Sequence, residues 1–338
     1  MCIKIFLYSY YKLKLYIFLY LIIKMNNKPI ILFLMGPTAI GKSAVARQIK
    51  KNFSIIELLS VDSKSIYKGL DIGTDKPLQR DLQSNIYRLV NILKPQEIYS
   101  SADFYRDAVR EIEDILKLGK IPLLVGGTMF YFKTLLNGFS DLPPSNSVIR
   151  NYIFNKICSG EKQKLFDILK KVDKISSERI HINDVQRVLR AVEIFFVSGG
   201  LSKSKLIKSI PNKLPYKIFQ FGLVPFKKDI LYTRIVKRFY YMLECGFEQE
   251  VRNLYKNKSL NISLPSINSI GYRQMWLYIQ NKYSYQEMID STIKSTYQLV
   301  KRQLTWLNNW TDITLIPDNK IDILMKKIQN IVRYNLSK

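Results

Sequence analysis

Eight residues constrain this chain more than any others. Gly36-Pro37-Thr38-Ala39-Ile40-Gly41-Lys42-Ser43 directly follow the apolar run Ile30-Ile31-Leu32-Phe33-Leu34-Met35. They fit the pattern G-x-x-x-x-G-K-[ST], and the succession of apolar strand, glycine turn and helix is the context that gives the pattern meaning. In such a loop glycines let backbone N–H groups turn inward around a phosphate chain. The helix N-terminus adds positive potential, and the lysine, here Lys42, neutralises phosphate charge. Ser43 is the candidate Mg²⁺ ligand. A loop of this kind selects two linked phosphates without selecting ATP.

Two further apolar runs, Ile55 to Val61 and Ile121-Pro122-Leu123-Leu124-Val125, end at Asp62 and at Gly126-Gly127-Thr128. Short, predominantly apolar runs of this length read as buried parallel strands. Between them Ser101 to Leu118 reads as a helix, with Phe104, Ala108, Ile112, Ile115 and Leu116 on one face. Strands alternating with helices predict an α/β fold: a P-loop, doubly wound parallel sheet. After Asp141-Leu142-Pro143-Pro144 the text turns polar, Lys-rich and helical, so residues 143–211 are read as a helical insertion domain. The strand Ile218 to Val224 returns the chain to the sheet, and helical stretches follow from Asp229 to Lys256 and from Ser284 to Asn309. The expected organisation is an extension over 1–24, a core domain over 25–142, the insertion over 143–211 and the rest of the core over 212–338.

Among 338 residues, 53 Lys and Arg stand against 27 Asp and Glu, a formal net charge of +26 at pH 7. That field attracts phosphate polymers, nucleic acid first. Drift toward lysine in an AT-rich genome is the competing source of the excess. With 47% hydrophobic residues the chain can bury a sizeable core, which excludes a disordered tail protein. Cys2, Cys158 and Cys245 are odd in number and outside any paired-spacing motif. Neither a disulfide framework nor a zinc knuckle is therefore expected, and a reducing cytoplasm fits. The single histidine, His181, excludes chemistry that needs several imidazoles. In residues 1–24, Lys4, Lys12, Lys14 and Lys24 cut the apolar text, leaving Leu15 to Ile23 short of the ~20 residues that span a bilayer. No small-residue cleavage site follows. The preferred reading is a dispensable extension with Met25 as the working start; an amphipathic membrane anchor is the alternative.

Asp62 stands where a P-loop enzyme that splits ATP keeps a metal-fixing carboxylate. Yet Ser60-Val61-Asp62-Ser63 leads into Ser65-Ile66-Tyr67, a polar platform on which a carboxylate could accept a proton from a nucleophile. Both readings stand on the residues alone. Gly126-Gly127-Thr128 reaches the sheet edge where doubly wound folds bind ligands, with a plain strand-to-helix turn as its rival. On the helix Asp184 to Val197, Gln186, Arg187 and Arg190 share a face suited to phosphate and base-edge contacts. Lys294, Lys301 and Arg302 could continue a basic stripe toward Trp306 and Trp310, although Trp306 reads more readily as core.

Several ordered blocks resemble the tRNA dimethylallyltransferases, also called tRNA isopentenyl transferases. They are Gly36 to Ser43, Ser60 to Ser63, Ile66 to Thr74 with Lys76-Pro77, Tyr99 to Phe104 and Pro122 to Met129 with Tyr131. Further on come Arg179-Ile180-His181, Asn183-Asp184, Gln186-Arg187, Gly271-Tyr272-Arg273-Gln274 and Lys301-Arg302-Gln303. The resemblance implies transfer of a dimethylallyl group from dimethylallyl diphosphate to the exocyclic amine of the adenine 3′-adjacent to the anticodon. Gly36, Pro37, Thr38, Ala39, Ile40, Gly41, Lys42 and Ser43 would then form a diphosphate cradle, with Ser43 on Mg²⁺. Asp62 would be the general base, Thr128 would hydrogen-bond near the bridging oxygen or the amine, and Arg238 would clamp the leaving diphosphate with Lys42. Spacing alone does not distinguish Arg238 from Arg234.

The tRNA anticodon stem-loop would meet Asp62, Ser63, Lys64 and Ser65, then Arg150, then Gln186, Arg187, Val188, Leu189 and Arg190, and finally Asn268, Ser269, Ile270, Gly271, Tyr272 and Arg273. Ile182, Asn268 and Tyr297 depart from the residues usual in that family, all in the RNA-contacting half or its support. A cytoplasmic monomer without stable membrane association is expected. Two rivals remain at this level: a P-loop small-molecule kinase using ATP, and an RNA-binding module with a vestigial loop, the latter weakened by intact Lys42, Ser43 and Asp62.

Overall fold

The structure, a computed structural model, describes residues 28–76, 87–138, 140, 142–207 and 214–336. The expectations for residues 1–24 lie outside them. Two compact units emerge, one formed by Leu135–Leu214 and the other by the chain on either side of it.

The first part of the larger unit runs β1 (Ile30–Met35), α1 (Lys42–Asn52), β2 (Ile56–Val61), β3 (Tyr87–Arg88), α2 (Ser101–Lys117), β4 (Ile121–Gly126) and α3 (Met129–Asn137). Every residue of β1 and β4 is buried, as expected for strands covered on both faces. Helix α2 starts where Ser100 and Asp103 form a reciprocal cap, the Ser100 hydroxyl accepting from Asp103 N–H and the Asp103 carboxylate from Ser100 N–H. Its face Phe104, Ala108, Ile112 and Ile115 is buried as the periodicity predicts.

The smaller unit is all helical: α4 (Ser147–Asn151), a π-helical segment (Tyr152–Ile157), α5 (Lys162–Val172), α6 (Lys174–Arg179), α7 (Val185–Val197) and α8 (Lys203–Leu206). It has its own core of Ile153, Cys158, Leu165, Leu169, Val188, Ala191 and Val192. Glu193 is completely buried and answers to two guanidinium groups, Arg150 at 3.0 Å and Arg190 at 2.6 Å. A buried carboxylate is tolerable only with such partners, so this triad is structural cement for the unit.

The chain then completes the sheet with β5 (Lys217–Val224), α9 (Lys228–Glu244), α10 (Phe247–Tyr255), α11 (Tyr272–Ile279), α12 (Tyr285–Asn308), β6 (Ile313–Pro317) and α13 (Ile321–Leu336). The helical stretch expected over Asp229 to Lys256 is helical and divides into two helices. Gly246 takes φ 94°, a left-handed conformation that ends the first and starts the second, and glycine enters it without a Cβ penalty. The short strands β3 and β6 and the helix α13 were not among the sequence expectations.

The six strands lie in the order β3-β2-β4-β1-β5-β6, and all are parallel. This is the doubly wound P-loop sheet the apolar runs predicted. The register places Val61 beside Gly126, and Met35 between Gly126 and Gly222. Three adjacent strands thus release their next residues, Asp62, Gly127 and Gly36, at one edge of the sheet, where open α/β folds bind ligands.

Candidate active site

The phosphate loop leaves β1 at Gly36 and enters α1 at Lys42. Lys42 Nζ donates to Pro37 O at 2.7 Å, so its ammonium lies folded over the loop. Desolvation pushes the Lys42 pKa down to about 8; Asp62 pulls it up, Arg238 pushes it down and Asp75 pulls it up. Ser43 is exposed in the first turn of the same helix.

At the end of β2, Asp62 Oδ1 accepts from the backbone N–H groups of Lys64 at 2.7 Å and Ser65 at 3.3 Å. The second oxygen, Oδ2, has no hydrogen bond among the described residues. At the end of β4, Thr128 Oγ1 accepts from Ser63 N–H at 3.3 Å, joining the two strand ends. Arg238, on α9, lies with Nε 3.2 Å from the Asp75 carboxylate, close enough for an ion pair though not aligned as a hydrogen bond. Arg234 instead pairs with Asp318 and does not line the cavity that Arg238 lines. The structure therefore separates the two arginines that spacing could not.

Lys42, Asp62, Thr128 and Arg238 line a single cavity of about 490 Å³. Its walls are partly apolar, with Ile235, Phe239 and Met242 of α9, Phe247 of α10, and Leu299 and Trp306 of α12. Asn268, Ser269, Ile270, Gly271 and Tyr272 form another side, beside Ser63 and Lys64. Lys64 Nζ donates to Pro265 O at 2.7 Å, which ties the Asp62 turn to that segment; burial lowers its pKa. Trp306, expected as core, is 38% exposed, because the α12 face that carries it looks into the cavity. Trp310 takes the core position instead, its Nε1–H donating to Gln220 Oε1 at 2.8 Å.

Not every expected contact residue offers a free side chain. Ser65 is buried, its hydroxyl 3.1 Å from that of Ser60. Tyr272 is buried, with its hydroxyl donating to Glu250 at 2.5 Å. Asn268 is exposed and accepts from Arg273 at 3.2 Å. In the smaller unit Gln186 and Arg187 are exposed, Leu189 is half-buried, and Val188 lies in that unit's core. Arg150 and Arg190 spend their charge on Glu193. Of the family departures, Tyr297 packs edge-on against Tyr232, with Lys301 Nζ 4.6 Å from its ring centre. Ile182 is half-buried.

Sequence reasoning gave no role to three residues that shape this edge. Glu250 accepts from the N–H groups of Asp71, Ile72 and Gly73 at 3.0, 2.8 and 3.3 Å, fixing the loop that carries Asp75. Asp75 itself occupies Arg238. Gln303 bridges two strand ends; the sequence marked it only as part of the Lys301-Arg302-Gln303 block and by the helical spacing Thr292, Thr296, Leu299, Gln303, Trp306, all of which line the cavity. Among the described residues no group of three or more His, Cys, Asp and Glu could cage a metal, and no helix is long and apolar enough to cross a membrane.

Fold and site together define a P-loop protein whose loop faces a carboxylate across a half-apolar cavity. The family model described as IPP transferase matches residues 65–310. The tRNA dimethylallyltransferase of Buchnera aphidicola subsp. Cinara cedri (strain Cc) is 63% identical over 92% of this chain and 100% of its own length. That of Buchnera aphidicola subsp. Acyrthosiphon pisum (strain APS) is 50% identical over 92% of this chain and 98% of its own. Among solved structures, the full-length tRNA isopentenylpyrophosphate transferase of Bacillus halodurans is 30% identical, with a TM-score of 0.65 over 92% of this chain and 97% of that one. A eukaryotic dimethylallyltransferase acting on tRNA is 27% identical, with a TM-score of 0.73 over 87% of this chain and 75% of that one. The chain belongs to the IPP transferase family. The kinase alternative finds no support in these relatives and is set aside.

Proposed function

We propose that this chain moves the dimethylallyl group of dimethylallyl diphosphate onto the exocyclic amine of the adenosine 3′-adjacent to the anticodon, releasing diphosphate. One observation carries the reading: Lys42 and Arg238, the Asp62 carboxylate, the Thr128 hydroxyl and an apolar wall share one cavity at the sheet edge. A short allylic chain on a diphosphate needs both halves of such a cavity, the cationic half for its head and the apolar half for its tail.

The amine lone pair attacks the first carbon of the dimethylallyl group. The carbon–oxygen bond breaks and its electron pair departs on the diphosphate, where Lys42, Arg238 and the loop N–H groups offset the growing charge. The displaced amine proton goes to Asp62 Oδ2. The opposite oxygen, held by two backbone N–H groups, keeps the carboxylate aimed. Thr128 already accepts from Ser63, so its own hydroxyl proton is left to donate to the bridging oxygen. Ser43 suits Mg²⁺, because that ion takes few protein ligands beside substrate phosphates and needs no carboxylate cage. When bound, the ion supplies further neutralisation of diphosphate charge. The target adenine must leave its stack to enter the cavity, as bases do in enzymes that modify them. The anticodon stem-loop is the proposed partner of Asn268 to Arg273 with Ser63 and Lys64, and of Gln186 and Arg187 on the smaller unit. The proposed working form is a cytoplasmic monomer, since one chain carries every residue of the cavity.

The test is nucleoside mass analysis of unmodified tRNA incubated with the protein, Mg²⁺ and dimethylallyl diphosphate, with ATP alone in parallel. A five-carbon gain on adenosine is expected in the first tube. No gain there would overturn the reading. Asp62→Ala is expected to lower the transfer rate by about 10² to 10⁴ while tRNA binding persists, and full activity would remove Asp62 from the base role.

A further inference from the structure

We infer that Gln303 is a positioning residue that sets the gap between the diphosphate cradle and the turn carrying Thr128; this rests on the transferase reading above. The side chain is only 7% exposed, and both ends of its amide are spent on backbone. Oε1 accepts from the N–H of Thr38, within the phosphate loop, at 2.9 Å. Nε2 donates to the carbonyl of Gly127, immediately before Thr128, at 2.8 Å. A single buried amide thus pins the loop after β1 to the turn after β4.

The fit is tight on the receiving side. A Cβ at position 127 would stand 2.6 Å from Gln303 Nε2 and 3.3 Å from Gly36 O, so glycine is what lets the helix reach in. Gln303 also has no charge to give a diphosphate, and it takes one loop N–H out of circulation rather than adding one. Its contribution must therefore be to geometry. In-line displacement needs the leaving group, the allylic carbon and the amine held in one arrangement, and a misplacement of about 1 Å can cost about 10²-fold in rate. Arg302, the neighbouring residue, lines a second, polar groove with Asn268 and Arg273. The helix that borders that groove is thereby the same one that gauges the cradle.

The experiment compares wild type, Gln303→Met and Gln303→Glu for kcat, donor KM, calorimetric binding of inorganic pyrophosphate, thermal midpoint and hydrogen exchange at Thr38. Met keeps the length and loses both hydrogen bonds. It is expected to lower kcat about 10- to 100-fold, leave donor KM and pyrophosphate affinity within about threefold, and speed exchange of the Thr38 amide. Glu keeps the acceptor for Thr38 but faces the Gly127 carbonyl with a carboxylate. Its kcat relative to wild type should recover as the pH is lowered toward about 5, where a protonated carboxyl can again donate. That recovery is not expected of a residue that only stabilises the fold.

A kcat for Gln303→Met within twofold of wild type would overturn the assignment. So would a loss accounted for by unfolded protein, or a parallel loss of pyrophosphate binding, which would make Gln303 part of the cradle itself. If the wild type transfers nothing, the transferase reading fails first. Exchange at Thr38 still decides the positioning role, because unchanged protection in Gln303→Met would refute it.

Discussion

Lys42, the proposed partner of the diphosphate, carries a proton it can lose. Its pKa of about 8 reflects desolvation first, against the pull of Asp62 and Asp75 and the push of Arg238. The sign is plain: the ammonium is present below that pH and disappears above it. Pyrophosphate affinity is therefore expected to fall as pH rises through about 8, approaching tenfold per unit, whereas Lys42→Met should lack that component; calorimetry across the range checks it. Asp75 stands on Arg238, so under the proposed function a diphosphate would compete with a carboxylate already in place. What the sequence could show of these residues was their identity and their place at strand ends. Asp62 and Thr128 were legible because an apolar run stops at each. The roles of Glu250 and Gln303 were not, since the backbone groups they hold lie 177 to 179 and 176 to 265 residues away and no local pattern encodes such a meeting.

Among the elements, α12 does the most for the site, and its start is set far from it. Ser284 Oγ accepts from Glu287 N–H at 3.2 Å, and the Glu287 carboxylate accepts from Ser284 N–H at 2.7 Å, which holds that carboxyl below its ordinary pKa. Ser284→Ala is expected to cost about 1 kcal/mol in denaturant unfolding while kcat and donor KM stay at wild-type values, the reverse of the Gln303 pattern. The helix itself was readable from its period, as were β1, β2, β4 and β5 from short, mostly apolar runs. The two-residue β3 was too short to register. The break at Gly246 was hidden because α9 and α10 are both helical, and only the sign of one φ divides them. For α7 the spacing of Gln186, Arg187 and Arg190 was legible, but the pull of buried Glu193 on Arg190 and the inward turn of Val188 depend on packing.

At the scale of the whole molecule, charge sets the terms of RNA binding. With a net charge of +26, tRNA affinity is expected to weaken about tenfold or more between 50 and 200 mM salt, as counterion release requires, while donor KM moves far less. Filter binding against salt tests this, and a flat response would leave the excess lysine to genome composition. The strand order carries a further consequence for how the chain comes into being. β1 is made early, but its neighbour on one side is β5, which lies beyond the insertion at Lys217–Val224. Until the ribosome has delivered that stretch, β1 is an apolar edge with an unsatisfied row of backbone groups, the kind of surface that recruits stray strands. A message broken inside the insertion would yield a polypeptide with a phosphate loop, no Arg238 and a sticky flank, a fragment fit for the protease rather than for tRNA.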